Sequence, residues 1–231
     1  MCGIMGVKDN KLSFVRKISN IANKLNKKGR WYMKENKYID LSLLLTEYTP
    51  VFPGEPNIIF KQYANIKDNT YNEHQITINT HFGTHIDFPY HMIDNGKKSS
   101  DFKLDKFIGK GKVIDIHNLD LNNIEDEDVF LLYSGHMDNG IDNLFNDVPI
   151  LDENLVDFLI SKNPKMILLD TPTPDKYPFP IHKRLLENEI LIVENVCNMK
   201  LLVDKKFRIY AIPLNFDKFD GSPCRVFAEF E

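Results

Sequence analysis

The chain has 231 residues, 42% hydrophobic and 27% charged, and its 33 acidic and 29 basic groups leave a formal net charge of −4. A chain of this size can bury a sizeable core without disulfide staples, and its apolar content excludes a disordered or fibrous class. The mild negative balance lacks the dense basic face of non-specific nucleic-acid binders, and no apolar run approaches the roughly 18 residues of a membrane-spanning helix.

Residues 1–32 read as an extension. Phe14, Ile18, Ile21 and Leu25 recur at helical spacing between Ser13 and Lys27-Lys28-Gly29, which predicts a short amphipathic helix docking on the body or on a second copy. Met1-Cys2-Gly3-Ile4 lacks the basic and apolar regions of a secretory signal. The three cysteines, Cys2, Cys197 and Cys224, are widely spaced and form no disulfide framework, so a reducing, cytoplasmic setting is expected. The opening also resembles that of class II glutamine amidotransferases, in which Cys2 would be the nucleophile after loss of Met1. That family's Arg-Gly-Pro-Asp segment is absent, with Gly29-Arg30-Trp31 a poor substitute.

The body, 33–231, reads as one strand-rich α/β domain with few helices. β-rich runs are predicted over 38–42, 58–64, 75–80, 112–116, 129–133, 165–170, 190–194, 207–213 and 224–230. Two helices are predicted between them. One spans 153–161, with Asp152 as N-cap and Leu155, Phe158 and Leu159 inward; the other spans 182–187, after the Pro-rich stretch 172–180.

Three of the seven histidines fall within eleven residues, His81-Phe82-Gly83-Thr84-His85-Ile86-Asp87-Phe88-Pro89-Tyr90-His91. Imidazoles with a carboxylate are the mixed N/O donor set that Zn²⁺, Mn²⁺ or Fe²⁺ accepts. A straight strand at ~3.3 Å per residue would hold His81 and His85 about 13 Å apart, too far for one ion. A helix would swing the sixth position off the shared face, and Pro89 opposes its continuation. The segment must therefore bend, and Gly83 sits where the bend is needed.

The same residues carry a family resemblance. H-x-G-T-H-x-D-x-P-x-H resembles the signature of the metal-dependent cyclase/formamidase family, which includes bacterial kynurenine formamidases and isatin hydrolases. Ile39-Asp40-Leu41-Ser42, Pro50-Val51-Phe52-Pro53-Gly54, His182 followed by Glu194, and Asp220-Gly221-Ser222-Pro223-Cys224-Arg225-Val226 match further elements of that family in order. The resemblance implies a single-domain swivelling β/β/α-type fold. It implies His81 and His85 on a first metal, Asp87 bridging to a second, His182 completing the second site and Glu194 bridging. His91 would stay off the metal as general acid/base, and Phe52 would pack on the substrate. The implied cofactor is a divalent metal, two Zn²⁺ with Mn²⁺ as the alternative.

Several residues are read outside the implied ligand set, His136 and Phe88 among them by their positions in the resemblance. His136, in Ser134-Gly135-His136, lines the substrate pocket or is an ordinary loop residue. Ser134 and Ser222 sit in no G-x-S-x-G elbow. His74 and His117 read as strand-edge or loop residues, and Asp220 and Arg225 as structural hydrogen-bonding groups. Phe88 stands where many relatives carry a small residue, and its ring is expected to narrow the pocket.

The expected activity is metal-dependent hydrolysis of a C–N bond in a small-molecule amide, most like arylformamidase action on N-formylkynurenine. Ring opening of a cyclic amide such as isatin is the alternative, and a catalytically silent metal-binding member is the non-enzyme reading. A homodimer or homotetramer is expected, with neither nucleic acid nor membrane as partner.

Overall fold

Val129-Phe130-Leu131-Leu132, Met166–Leu169 and Leu191-Ile192-Val193 are uninterrupted apolar runs, and strands of that composition must bury both faces. The computed structural model describes residues 37–121 and 124–231, and there these runs form the middle of a closed barrel. In chain order the elements are β1 (Tyr38–Asp40), β2 (Ile59–Ala64), α1 (Ile66–Asn69), β3 (Glu73–Thr77), β4 (His85–Asp87) and β5 (Ile108–Asp115). They continue as β6 (Val129–Tyr133), α2 (Glu153–Lys162), β7 (Met166–Leu169), α3 (Pro180–Glu187), β8 (Leu191–Glu194), β9 (Phe207–Pro213) and β10 (Gly221–Phe230).

Strands β5 to β8 run parallel, joined by crossovers that carry α2 and α3. The remaining pairs are antiparallel: β8 with β4, β4 with β10, β10 with β9, and β9 with β5. This closes a ring of seven strands, with β1 added beside β10. β10 closes it by serving two partners on one side, β4 through Gly221–Pro223 and β1 through Phe227–Glu229.

Period-two alternation divides the core into two layers. Val129, Leu131, Met166, Leu168, Leu191 and Val193 point into the barrel, where Phe207, Ile209, Ala211, Val226 and Ala228 meet them. Phe130, Leu132, Ile167, Leu169, Ile190 and Ile192 point outward, beneath Leu155 and Leu159 of α2 and Ile181, Leu185 and Leu186 of α3. Asp152 caps α2 by accepting the Asn154 N–H.

The expected strand-rich α/β body is present, with three α-helices among the described residues. α3 begins at Pro180, two residues before the prediction, because proline suits the first helical turn. β3 lies at Glu73–Thr77 and pairs only with β2, forming a two-stranded sheet with Ile59, Tyr63 and Ile76 exposed. β4, three buried residues inside the histidine segment, is not among the predicted strands. The predicted helix over 13–29 and Cys2 lie outside the described residues. No helix among the described residues is long and apolar enough to cross a membrane.

The two-layer core sets the cost of cavities. Phe130 is fully buried with its ring 6.0 Å from that of Phe158, so Phe130→Ala is expected to lose about 3–5 kcal/mol in equilibrium urea unfolding. Ile59→Ala, on the exposed sheet, should stay within about 0.5 kcal/mol of the parent.

Candidate metal centre

The histidine segment bends where the spacing requires it. Gly83 adopts φ +66°, a left-handed conformation that favours glycine, and a Cβ there would also have to push the Leu45 side chain aside. Beyond the bend, β4 pairs with β8 in the register His85↔Glu194, Ile86↔Val193 and Asp87↔Ile192. Directly opposed residues of an antiparallel pair share a face. Ile86 and Val193 belong to the barrel interior and Ile192 to the outer layer. His85, Asp87 and Glu194 therefore stand on the outer face, against α3, which supplies His182.

Each imidazole is fixed by an acceptor at its far nitrogen. His85 Nδ1 donates to the Gly83 carbonyl at 2.9 Å, which leaves Nε2 3.4 Å from Asp87 Oδ1 and 3.4 Å from Glu194 Oε2. His182 Nδ1 donates to Asp175 Oδ1 at 2.6 Å, which leaves Nε2 3.2 Å from Glu194 Oε1 and 3.9 Å from Asp87 Oδ2. Asp175 Oδ2 also accepts the Ile181 and His182 N–H groups, satisfying first-turn donors of α3. The carboxylate that orients His182 thus also anchors its helix.

His81 lies between two carboxylates, with Nδ1 2.8 Å from Asp87 Oδ1 and Nε2 2.9 Å from Asp220 Oδ2. Its ring approaches the backbone at Gly221, where a Cβ would sit 2.6 Å from His81 Cε1. The His91 ring is tilted over that of His81 at 4.0 Å, with Nδ1 3.7 Å from Asp220 Oδ2.

Two carboxylates are buried side by side in the site. Asp87 and Glu194 are 1% and 4% exposed, and Asp87 Oδ2 and Glu194 Oε1 have no hydrogen-bond donor. Buried carboxylate oxygens in that condition are costly unless a cation meets them. Ligand atoms of His85, Asp87 and Glu194 lie within 4.8 Å of one another, as do those of His81, Asp87 and His91. The donor set fits a divalent cation, with Asp87 common to both groups. The His81 nitrogens face Asp87 and Asp220, and its ring stands edge-on to that of His85 at 5.0 Å.

The electrostatics follow the geometry. Burial opposes protonation of His81, but the Asp87 charge and hydrogen bonds to Asp220 and Asp87 prevail and raise it to about 9. Burial likewise opposes protonation of His182, and hydrogen bonds to Asp175 and Glu194 raise it to about 10. His85 is raised well above its ordinary value by Asp87 and Glu194 against the same burial penalty. Burial disfavours the Asp87 anion, yet His81 and His85 hold its carboxyl well below the usual range. Hydrogen bonds from His81 and His91 hold Asp220 far below its range.

These groups open on a cavity of about 210 Å³ whose apolar walls include Pro50, Phe52, Met92, Phe145, Pro172 and Phe179. Phe52 meets Phe145 edge to face at 5.6 Å. The structure does not bring His136 to this cavity: its Nε2 donates to the Leu144 carbonyl at 2.9 Å, and it lines a separate concavity. Phe88 is a correction too, since it is fully buried in the barrel against Phe102 and Phe107 and is absent from the cavity wall. Asp220 lies closer to the chemistry than its structural reading allows, whereas Arg225 is paired with Asp40 on the surface. Ser134 donates to Asp170 at 2.6 Å and Ser222 to the Pro223 carbonyl at 2.9 Å. His117 contacts the Ser134 carbonyl at 3.0 Å and His74 sits on exposed β3, both away from the site.

Sequence reasoning misses Asp175, Phe145, Phe179 and Asn195, which lines the cavity and donates its Nδ2 to the Gly83 carbonyl at 2.9 Å. Only Asp175 leaves a signal, a carboxylate shortly before a proline-initiated helix that carries a ligand histidine.

Comparisons with known proteins bear on the family and the fold. The sequence profile of the Cyclase family matches residues 39–176. Kynurenine formamidase of Bacillus mycoides (strain KBAB4) is 31% identical over 205 residues, covering 84% of this chain and 98% of its own length. The protein of that name from Bacillus anthracis is 30% identical over the same shares. Isatin hydrolase A from Labrenzia aggregata superposes with a TM-score of 0.72 at 22% identity, covering 84% of this chain and 93% of that one, a likeness of fold.

Two outcomes follow from the site. Asp175→Asn should weaken Zn²⁺ or Mn²⁺ binding in calorimetric titration by about 10–100-fold, with unchanged far-UV dichroism. His81 and His182 are raised above the ~6.5 of an unfolded histidine, so their stabilising contribution is complete below about pH 6.5 and lost as pH rises through about 9 and about 10. Chelator-treated protein should therefore melt at lower temperature at pH 9.5 than at pH 6.5, while apparent metal affinity climbs over the same window as protons cease to compete.

Proposed function

The chain belongs to the Cyclase family, and on that premise we propose that it is a metal-dependent hydrolase of a C–N bond in a small-molecule amide. The reaction we favour is that of an arylformamidase, N-formylkynurenine to kynurenine and formate. The carrying observation is the pair of buried, donorless oxygens on Asp87 and Glu194, set among His81, His85 and His182 beneath an aromatic-walled cavity. Those five residues would hold the cation, for which we favour two Zn²⁺, with Mn²⁺ as the alternative. Bound there, the metal supplies Lewis acidity, lowering the pKa of water and polarising an amide carbonyl.

The chain's own groups do the rest. Gly83 and Asp175 hold His85 and His182 in the tautomers that turn Nε2 toward the carboxylates. Phe52, Phe145 and Phe179 hold an aromatic ring and thin the water around the reacting carbonyl. His91, its Nδ1 side turned toward Asp220, uses Nε2 to take the proton of the attacking water. As the C–N bond breaks, the same nitrogen returns that proton to the departing amine, giving formate and a free aryl amine. Ring opening of a fused cyclic amide such as isatin is the second reading, supported by the compactness of the 210 Å³ cavity. Exposed Ile59, Tyr63 and Ile76 support a homodimer or homotetramer, and the cysteine usage supports a cytoplasmic setting.

The test is hydrolysis of N-formylkynurenine and isatin with Zn²⁺ or Mn²⁺ added. His91→Ala should lower kcat by about 10²–10⁴-fold while its metal content and dichroism match the parent. Full activity in that variant removes the proton-transfer role, and turnover of neither substrate by the parent leaves a metal-binding protein without this chemistry.

A further inference from the structure

Breaking a C–N bond does not call for a carboxylate in the apolar wall of the cavity, yet Glu55 is there. It lines the same cavity as Pro50, Phe52, Phe145, Pro172 and Phe179. Its backbone N–H donates to the Phe52 carbonyl at 3.0 Å, fixing the turn that carries it, and Asn79 Nδ2 donates to Oε2 at 2.9 Å. Oε1 has no donor and the carboxylate no ion-pair partner among the described residues, and no lysine or arginine lines the cavity. The other carboxylate of the wall, Glu194, is engaged with His85 and His182.

A half-buried carboxylate in a cavity wall that also holds three phenyl rings, with one oxygen oriented and one left open, complements an organic cation. An alkylammonium gives a charge-assisted hydrogen bond to the free oxygen and is attracted to the negative face of a neighbouring phenyl ring. An anionic substituent would meet Glu55 with no counter-charge in the wall, so a zwitterionic side chain such as that of N-formylkynurenine would have to turn its ammonium, and not its carboxylate, toward Glu55. We propose that Glu55 is a specificity determinant that selects aryl amides whose ring carries an aliphatic ammonium group over neutral and anionic counterparts. This selectivity rests on the C–N hydrolase reading. It deepens that reading, because Glu55 has no part in holding the metal or moving the proton.

The test uses the metal-loaded protein and three matched substrates: formanilide, its aminoethyl derivative and its carboxyethyl derivative. The parent should favour the aminoethyl compound over formanilide in kcat/KM by about 10–100-fold, the range of one hydrogen bond to a charged group, and should favour the carboxyethyl compound least. Glu55→Gln, which keeps an acceptor for Asn79, should collapse the aminoethyl-to-formanilide ratio to about 1. A parent ratio at or below 1, or a ratio that survives Glu55→Gln, overturns the proposal. Calorimetric titration with 2-(3-aminophenyl)ethylamine and with aniline decides the case in which no formanilide is hydrolysed. The C–N hydrolase reading then fails, while tighter amine binding that is lost in Glu55→Gln upholds the cation site and equal binding of the two probes removes it.

Discussion

Two carboxylates, Asp87 and Glu194, sit almost fully buried on neighbouring antiparallel strands, each with one oxygen that receives no donor. Buried negative charge of this kind persists only if the surroundings answer it, and much of the local architecture is that answer. Three imidazoles converge on the pair. Behind them Gly83, Asp175 and Asp220 each accept from a ring nitrogen and set which way it faces. Carboxylate neighbours favour the protonated forms of His81, His85 and His182, and a cation bound there would displace those protons.

The barrel makes this arrangement possible in structural terms. β8 places Leu191 and Val193 in the interior layer, and through its other face it presents Ile192 and Glu194 to α3. One strand thus contributes alternately to a dry core and to a polar site, with no loop needed to position Glu194. His182 comes from the helix that covers this face, so packing of Ile181, Leu185 and Leu186 sets the distance between His182 and Glu194. Stability and ligand geometry share the same contacts here.

The segment 81–91 is legible because its meaning is local. Residue types, spacing and the glycine at the bend are all contained in eleven consecutive positions, and φ +66° at Gly83 is what that spacing demands. His182 and Glu194 are legible through resemblance rather than through pattern. Phe88 escapes a reading taken from the relatives' small residue at that position: it shares strand parity with Ile86 and follows it inward. His136 is misplaced because the Leu144 carbonyl that captures its ring lies eight residues away, across turns that leave no periodic signal. Glu55, Phe145 and Phe179 enter the cavity from loops, where no alternation announces direction. Closure of the barrel is equally silent, since it depends on β5 and β10 meeting β9 from opposite sides.

Gly221 carries a consequence for how the protein comes into being. Its missing side chain is the space into which the His81 ring fits, and the adjoining Asp220 grips that ring's outer nitrogen. The histidine-rich segment emerges from the ribosome long before the strand that shapes its surroundings. Until β10 threads between β4 and β9, His81 lacks its outer brace and the seven-strand ring stays open. The geometry around His81 is thus a product of long-range strand pairing, set by a segment 139 residues further along the chain.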